Sequence, residues 1–312
     1  TPNGSDKIGG SVGSANLSTE SQSVTLIFAD STKGWLDIHD STSNVQSAQY
    51  ITATGGTVTC TGDFKIHTFT GPGTFCVSNA GNAAGSNKVD YMVVAGGGGG
   101  GGRDHGSGGG AGGYRESPGS ASCYAASPLG VSPAVALSVP ATAYPITVGG
   151  GGAGRTAQPC SSGTSGANSV FSTITSAGGG AGGGGPGNGL DGGSGGGGRN
   201  NNTQFGSGNT PSVSPPQGND GGIAGYGSPH YGMGGGGGAG AAGSAGNPSA
   251  GGAGGGGVTS SINGTPTARA GGGGGSSYNG GTAGAGGAGG GGTGTTGTSS
   301  NGTAGTCNTG GG

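Results

Sequence analysis

Apolar and polar positions alternate in the stretch SVTLIFADSTKGWLDIHD, with Val24, Leu26 and Phe28 on one side and Thr25, Ile27 and Ala29 on the other. A period of two predicts a strand, apolar on one face and mostly apolar on the other. Asp30 to Gly34 (DSTKG) reads as a turn, with Gly34 placed for a positive φ. WLDI then returns as a second strand, which makes a hairpin. A hairpin within residues 1–47 cannot bury enough surface to stand alone. Identical copies of the chain are the simplest completion.

The alternation continues through residues 48–95 in YITATGGTVTCTG, DFKIHTFTGPGTFCVSNAG and NKVDYMVVA. Phe64, Ile66 and Thr68 alternate with Lys65, His67 and Phe69, TGPGT turns on Pro72 and Gly73, and Val77 lies on the return strand. This predicts a small antiparallel β domain. Its last strand, Val89 to Ala95, is nearly all apolar after Asp90 and so is expected to be central. It runs without a break into Gly96–Gly102.

From there the pattern is glycine. Of 312 residues, 93 are Gly, 28% are hydrophobic and 6% are charged, against about 7% Gly and roughly 25% charged in ordinary domains. Disordered chains are usually rich in charge; a charge-poor chain must aggregate or pair its amides in order. The runs have no strict G-X-Y period and Pro is only 15 of 312, which excludes collagen. Short strand-like inserts (AYPITV, NSVFSTITSA, VTSSINGTPTARA) sit beside the runs as an irregular repeat. Glycine can extend as a threefold polyproline-II-like helix and, without Cβ atoms, pack side by side with amide-to-carbonyl bonds between neighbours. We therefore expect residues 96–312 to form a polyglycine II bundle, held by backbone bonds of about 0.5–1.5 kcal/mol each, with loops displayed between its helices. The strand ending MVVA would anchor its first run. The competing expectation is a flexible Gly-Ser-like tail.

A net charge of −2 and four dispersed lysines offer nothing to nucleic acid. No window approaches a membrane span. TPNGSDKIGG is no signal peptide, and with the finish inside NTGGG it reads as an excerpt of a longer polypeptide. Five widely spaced cysteines without a CxxC pair argue against zinc. Cys60 and Cys76, on neighbouring strand-like segments, either pair or remain buried thiols. The four histidines have no HxH or HxxxH spacing, so neither a metal nor a cofactor is expected. There is no GxxxxGK[ST] loop, and GxGxxG matches carry no information in this composition. No enzymatic arrangement emerges.

The large side chains of the third region fall between the glycine runs. Tyr114, Arg115 and Tyr124 come after the second run, and Arg199, Asn201, Phe205, Tyr226, His230 and Tyr231 lie in the insert 199–232. Aromatic rings cover the apolar face of a sugar while amide and guanidinium groups bond its hydroxyls. Tyr-, Ser-, Gly- and Asn-rich loops on a rigid support also make good paratopes. The plainer account of each residue is that it covers an end of the bundle.

Taken in order, SDKIGGS, VTLIFADSTKGWLDI, DFKIHTFTGPGTFCV, VDYMVVAGGGGGGG, YPITVGGGGAG and NSVFSTITSAGGGAGGGG resemble glycine-rich tail-fibre and distal adhesin proteins of tailed bacteriophages, similar segments being common in phages of marine bacteria and cyanobacteria. The order is more specific than any one segment. The resemblance implies a mostly β and irregular chain: a fibre-type β module (1–47) completed by trimer mates, a small antiparallel β domain (48–95), and a layered polyglycine II bundle (96–312) whose loops touch the host. It implies a non-enzymatic homotrimer of the virion's distal tail fibre, joined to other tail or fibre proteins. That protein would attach to a bacterial surface glycan or outer-membrane protein. Two departures stand out: the family's apolar strand after the last glycines is not seen before Gly312, and the insert 199–232 is long. Rival readings are a purely structural fibre or capsid-decoration protein, and a cellular secreted filament or ice-binding bundle; the irregular inserts lack the flat ranks an ice binder needs.

Overall fold

The computed structural model describes residues 5–10, 12, 19–20, 22–40, 48–82, 85–102, 105–118, 124–130, 136–155, 161–185, 187–199, 204–225, 227–297 and 301–312. It is mostly β and irregular, with small antiparallel sheets and no α-helix among the described residues. No helix there is long and apolar enough to cross a membrane. The chain forms two compact units, Thr1–Ile51 with Ala80–Asn87, and Thr52–Asn79 with Lys88–Gly312.

The first unit holds the expected hairpin, β1 (Val24–Asp30) against β2 (Gly34–Asp40), with Phe28 opposite Trp35 and Asp30 opposite Gly34. The turn forms because Asp30 Oδ1 accepts the amides of Thr32 and Lys33 at 2.7 and 2.6 Å, and because Gly34 takes φ +72°. A third short stretch lies alongside: Trp35 N donates to the Lys7 carbonyl and Gly9 N to the Trp35 carbonyl. Ile27 and Phe28 point to opposite faces of the ribbon, yet are 51% and 50% exposed.

The second unit does not keep residues 52–79 and 88–95 apart from the glycine-rich part. It contains β3 (Ile51–Thr54), β4 (Thr57–Thr61), β5 (Phe64–Thr68), β6 (Gly73–Ala80), β7 (Lys88–Val89), β8 (Tyr91–Val94), β9 (Tyr114–Ser117), β10 (Leu137–Ser138), β11 (Ala143–Thr147), β12 (Ser169–Phe171), β13 (Ile174–Ser176), β14 (Val258–Ser260) and β15 (Thr267–Arg269). Strands β3 and β6 join a five-stranded sheet ordered β13-β12-β11-β6-β3. Phe75, Tyr144 and Phe171 meet there with ring centroids 6.0–6.5 Å apart. So the inserts AYPIT and SVFSTITS complete the sheet that 48–95 only begins; few strands of so small a segment could bury a face alone. Cys60 and Cys76 lie in different sheets, and both are free and exposed. Neither the disulfide nor the buried thiols expected from spacing is found.

The strand β8 does lead the chain into its glycine. Val94 pairs with Tyr114 at the end of the β8–β9 ribbon. The same pairing then continues with a changed spacing: Ala95, Gly98 and Gly101 donate to the carbonyls of Gly113, Gly110 and Ser107. A period of two in the ribbon becomes a period of three in the glycine. Each segment bonds several neighbours this way. Gly113, Gly110 and Ser107 donate in turn to Ala177, Gly180 and Gly183, while Gly108 and Ala111 donate to Gly234 and Gly237.

Glycine is required here by contact. A Cβ at Gly109 would overlap the Gly98 carbonyl, and one at Gly236 the Gly109 carbonyl. Residues 106–114, 192–198, 232–239 and 271–277 are buried throughout. Side chains contribute only a small cluster of Ala111, Tyr114, Ala239, Val258 and Ala270, with Met92, Val94 and Leu129 against it.

Candidate functional site

Large side chains collect where the extended segments begin and end. His105 opens the segment that reaches Tyr114. These two lie nine residues apart along one extended segment. The predicted site residues are therefore divided between two ends.

At the His105 end, three segments converge. Ser276 Oγ donates to the Gly106 carbonyl at 2.7 Å, and Gly232 bridges Ser277. This brings together the rings that flank those residues. His105 stacks on Tyr278 with centroids 4.6 Å apart and planes 24° apart, and Tyr231 stands edge-on to both at 6.3 Å. His230 joins them: its Nδ1 lies 2.9 Å from the Asn279 carbonyl, and its own carbonyl accepts Ser277 Oγ at 3.3 Å. Tyr231 (φ +40°) and Asn279 (φ +59°) hold backbone conformations uncommon outside glycine. The four rings are half-buried, and Asn279, Asn247 and Pro248 around them are exposed. Chemically this is an apolar ring surface rimmed by amides, suited to stacking and hydrogen bonding.

Arg199 belongs to the same end, since the adjoining Gly198 carbonyl accepts Ser107 Oγ at 2.8 Å and the amide of Gly234. It is half-buried, as is Phe205. Asn201 and Tyr226 lie outside the described residues. Tyr278 is missing from the residues predicted by sequence, although SSYNGG beside a glycine run has the composition that marks the other loops.

The insert 199–232 is not one displayed loop. Gly206 donates to Gly196, Gly221 to Gly206 and Gly222 to Gly235, so much of it forms extended segments of the array. Gln217 is 1% exposed; its Oε1 accepts the Ala177 amide at 2.8 Å and its Nε2 donates to the Pro211 carbonyl at 2.9 Å. Glycine spacing makes the insert look like a gap because its array residues are isolated glycines rather than runs.

At the other end, Tyr114 and Arg115 are not displayed loop residues, while Tyr124 is a half-buried loop residue beside them. Tyr114 and Arg115 are in β9, and Tyr114 is 1% exposed. Arg115 is half-buried, its Nη1 3.5 Å from the Thr175 carbonyl. Tyr114 donates its hydroxyl to Glu116 at 3.0 Å, and the Glu116 carboxylate also accepts the Ser127 amide (2.9 Å) and Ser260 Oγ (2.5 Å). This carboxylate, itself 1% exposed, ties β9 to the 124–130 loop and β14. Burial, then the nearby Glu116 charge, pushes the hydroxyls of Tyr114 and Tyr124 well above the ordinary tyrosine range. Burial lowers the Arg269 guanidinium from its usual value, with Tyr114 and Glu116 acting against that shift. The cluster is a structural pin.

Residues 70–312 match the family model described as a glycine-rich domain, and the chain belongs to that family. Among curated proteins no match is found. No solved structure matches either.

Proposed function

We propose that the glycine array is a polyglycine II bundle and that the chain is a non-enzymatic attachment protein of a tailed phage, set at the distal tail fibre. The three-residue hydrogen-bond repeat between glycine segments supports the bundle reading, because a threefold helix presents successive amides to different neighbours. The observation that carries the function is the His105–Tyr231–Tyr278 ring cluster at one end of an array almost devoid of side chains. Stacked rings beside the exposed Asn279 offer the aromatic and amide groups that such recognition uses. The receptor would be a bacterial surface glycan or outer-membrane protein. The hairpin with apolar side chains on both faces supports assembly into a homotrimer alongside other fibre proteins. Several copies would turn weak contacts into firm adhesion.

Purified chain is mixed with intact candidate host cells beside a Tyr231→Ala/Tyr278→Ala variant. Deleting 199–232 is unsuitable, since it removes array segments. Saturable binding that the variant loses, with its circular dichroism intact, supports the reading. Binding by neither chain, with the oligomer intact in sedimentation, moves the reading to a structural fibre or capsid-decoration protein.

A further inference from the structure

The ring-bearing end of the array carries charge of one sign. Segments 105–107, 198–199, 227–232, 246–250, 276–282 and 295–297 meet there. Among these described residues the ionisable side chains other than tyrosine are His105, Arg199 and His230. Arg155, exposed, stands at the same end of its own segment, with its amide on the Gly100 carbonyl. Carboxylates of neighbouring segments are engaged elsewhere. Asp191 and Asp220 accept the amides of Ser207 and Gly208 at 2.6 and 2.8 Å, and Glu116 is at the opposite end. Arg103 and Asp104 precede His105 in the sequence, lie outside the described residues and cancel in the sum. The whole chain has a net charge of −2, so any attraction for an anion is local to this end.

Both histidines are held in ways that accept a proton without rearrangement. His230 Nδ1 lies 2.9 Å from the Asn279 carbonyl. A carbonyl only accepts, so Nδ1 carries the hydrogen and Nε2 is the atom that takes up a proton. His105 lies over the face of Tyr278, with centroids 4.6 Å apart and planes 24° apart. An imidazolium in that position is attracted by the negative face of the phenol ring. Imidazoles as a class gain charge as pH falls through about 6.5, whereas the arginines stay charged throughout.

We propose that the ring cluster binds an acidic saccharide, and binds it more tightly as the medium acidifies. The rings supply a face for the sugar, the exposed Asn279 an amide for its hydroxyls, and the imidazolium and guanidinium groups charge-assisted hydrogen bonds for its anionic substituent. A saccharide carboxylate remains ionised above about pH 5, so the change over the imidazole range belongs to the protein. The proposal names the substrate class of the site and rests on the attachment reading above.

The test measures binding of the 312-residue chain to immobilised polygalacturonate and to a phosphomannan. Each is set beside its neutral form, the methyl ester and the dephosphorylated mannan. Measurements are made at about pH 5.5 and about pH 8, either side of the imidazole range. At least one acidic form should be held about tenfold more tightly than its neutral counterpart, the scale of one charge-assisted hydrogen bond. That preference should grow by a similar factor at the lower pH. Which acidic form is held distinguishes carboxylate from phosphate. His105→Phe combined with His230→Asn keeps a stacked ring and a donor to Asn279 but has nothing to protonate, and it should lose the rise at low pH. Equal binding of charged and neutral forms, binding to none of the four, or a rise that survives in the double variant overturns the proposal. In each of those cases host-cell binding that depends on Tyr231 and Tyr278 keeps the attachment reading, and its absence overturns that reading too.

Discussion

In the β1–β2 hairpin the side chains carry the apolar surface and leave it in solvent, with Ile27, Phe28 and Ile38 at least half exposed. In the segments around 105–113 there is little side chain at all, and the buried material is backbone. The hairpin has the composition of a core without the burial; the array has the burial without the composition. Removal from water therefore says nothing by itself about what stabilises a region. Association of apolar faces is open to the hairpin. The array must depend on paired amides and on glycine contacts too close for any side chain.

The comparison breaks most visibly at single methyl groups. Gly236→Ala places a Cβ on the Gly109 carbonyl and should destabilise the array by about 3 kcal/mol or more, as overpacking does. Gly150→Ala and Gly256→Ala meet nothing within 4 Å and should be neutral or stabilise by about 0.5 kcal/mol through the unfolded chain. Denaturant unfolding of the three variants checks this; equal effects would remove the steric account of the glycine.

Glu116→Ala comes next, with an expected loss of about 2–3 kcal/mol, because the hydroxyls of Tyr114 and Ser260 are left without their acceptor. The raised tyrosines have a pH consequence of known sign. Their folded pKa lies above the unfolded one, so above about pH 10 the unfolded state loses protons first. Stability from this source is full below about pH 10 and falls as pH rises beyond it. Phenolate absorbance should show Tyr114 and Tyr124 ionising above the ordinary tyrosine range, and an unfolding midpoint flat across that range would contradict it.

Ile27→Asp in the hairpin has the smallest expected effect on folding, within about 0.5 kcal/mol for an exposed position. It should nevertheless lower the sedimentation coefficient if these faces join copies of the chain. Trp35, the only tryptophan, packs edge-on to Phe28 at 5.6 Å and reports the hairpin's integrity in the same sample.

The hairpin is legible in the sequence because alternation and a DSTKG turn are local signals, and local geometry suffices to form them. The entry of β8 into glycine is legible for the same reason. The insert 199–232 reads wrongly as a loop because its array segments use scattered glycines, whose role appears only beside their neighbours. Tyr114 reads wrongly as displayed because a tyrosine after a glycine run has the same local sequence whether it caps a strand inward, onto Glu116, or faces outward. Tyr231 is recognisable as an end residue, but its partners His105 and Tyr278 are far away in sequence.

By itself the sequence determined that the N-terminal segment alternates as strands and that residues 96–312 must be built from glycine backbone, since too few side chains exist there for a conventional core. The tertiary structure decided which carbonyl each amide meets, which inserts complete the five-stranded sheet, and which rings share an end. Glycine carries no side-chain code for its neighbours, so pairing and register in the array arise from long-range backbone geometry alone.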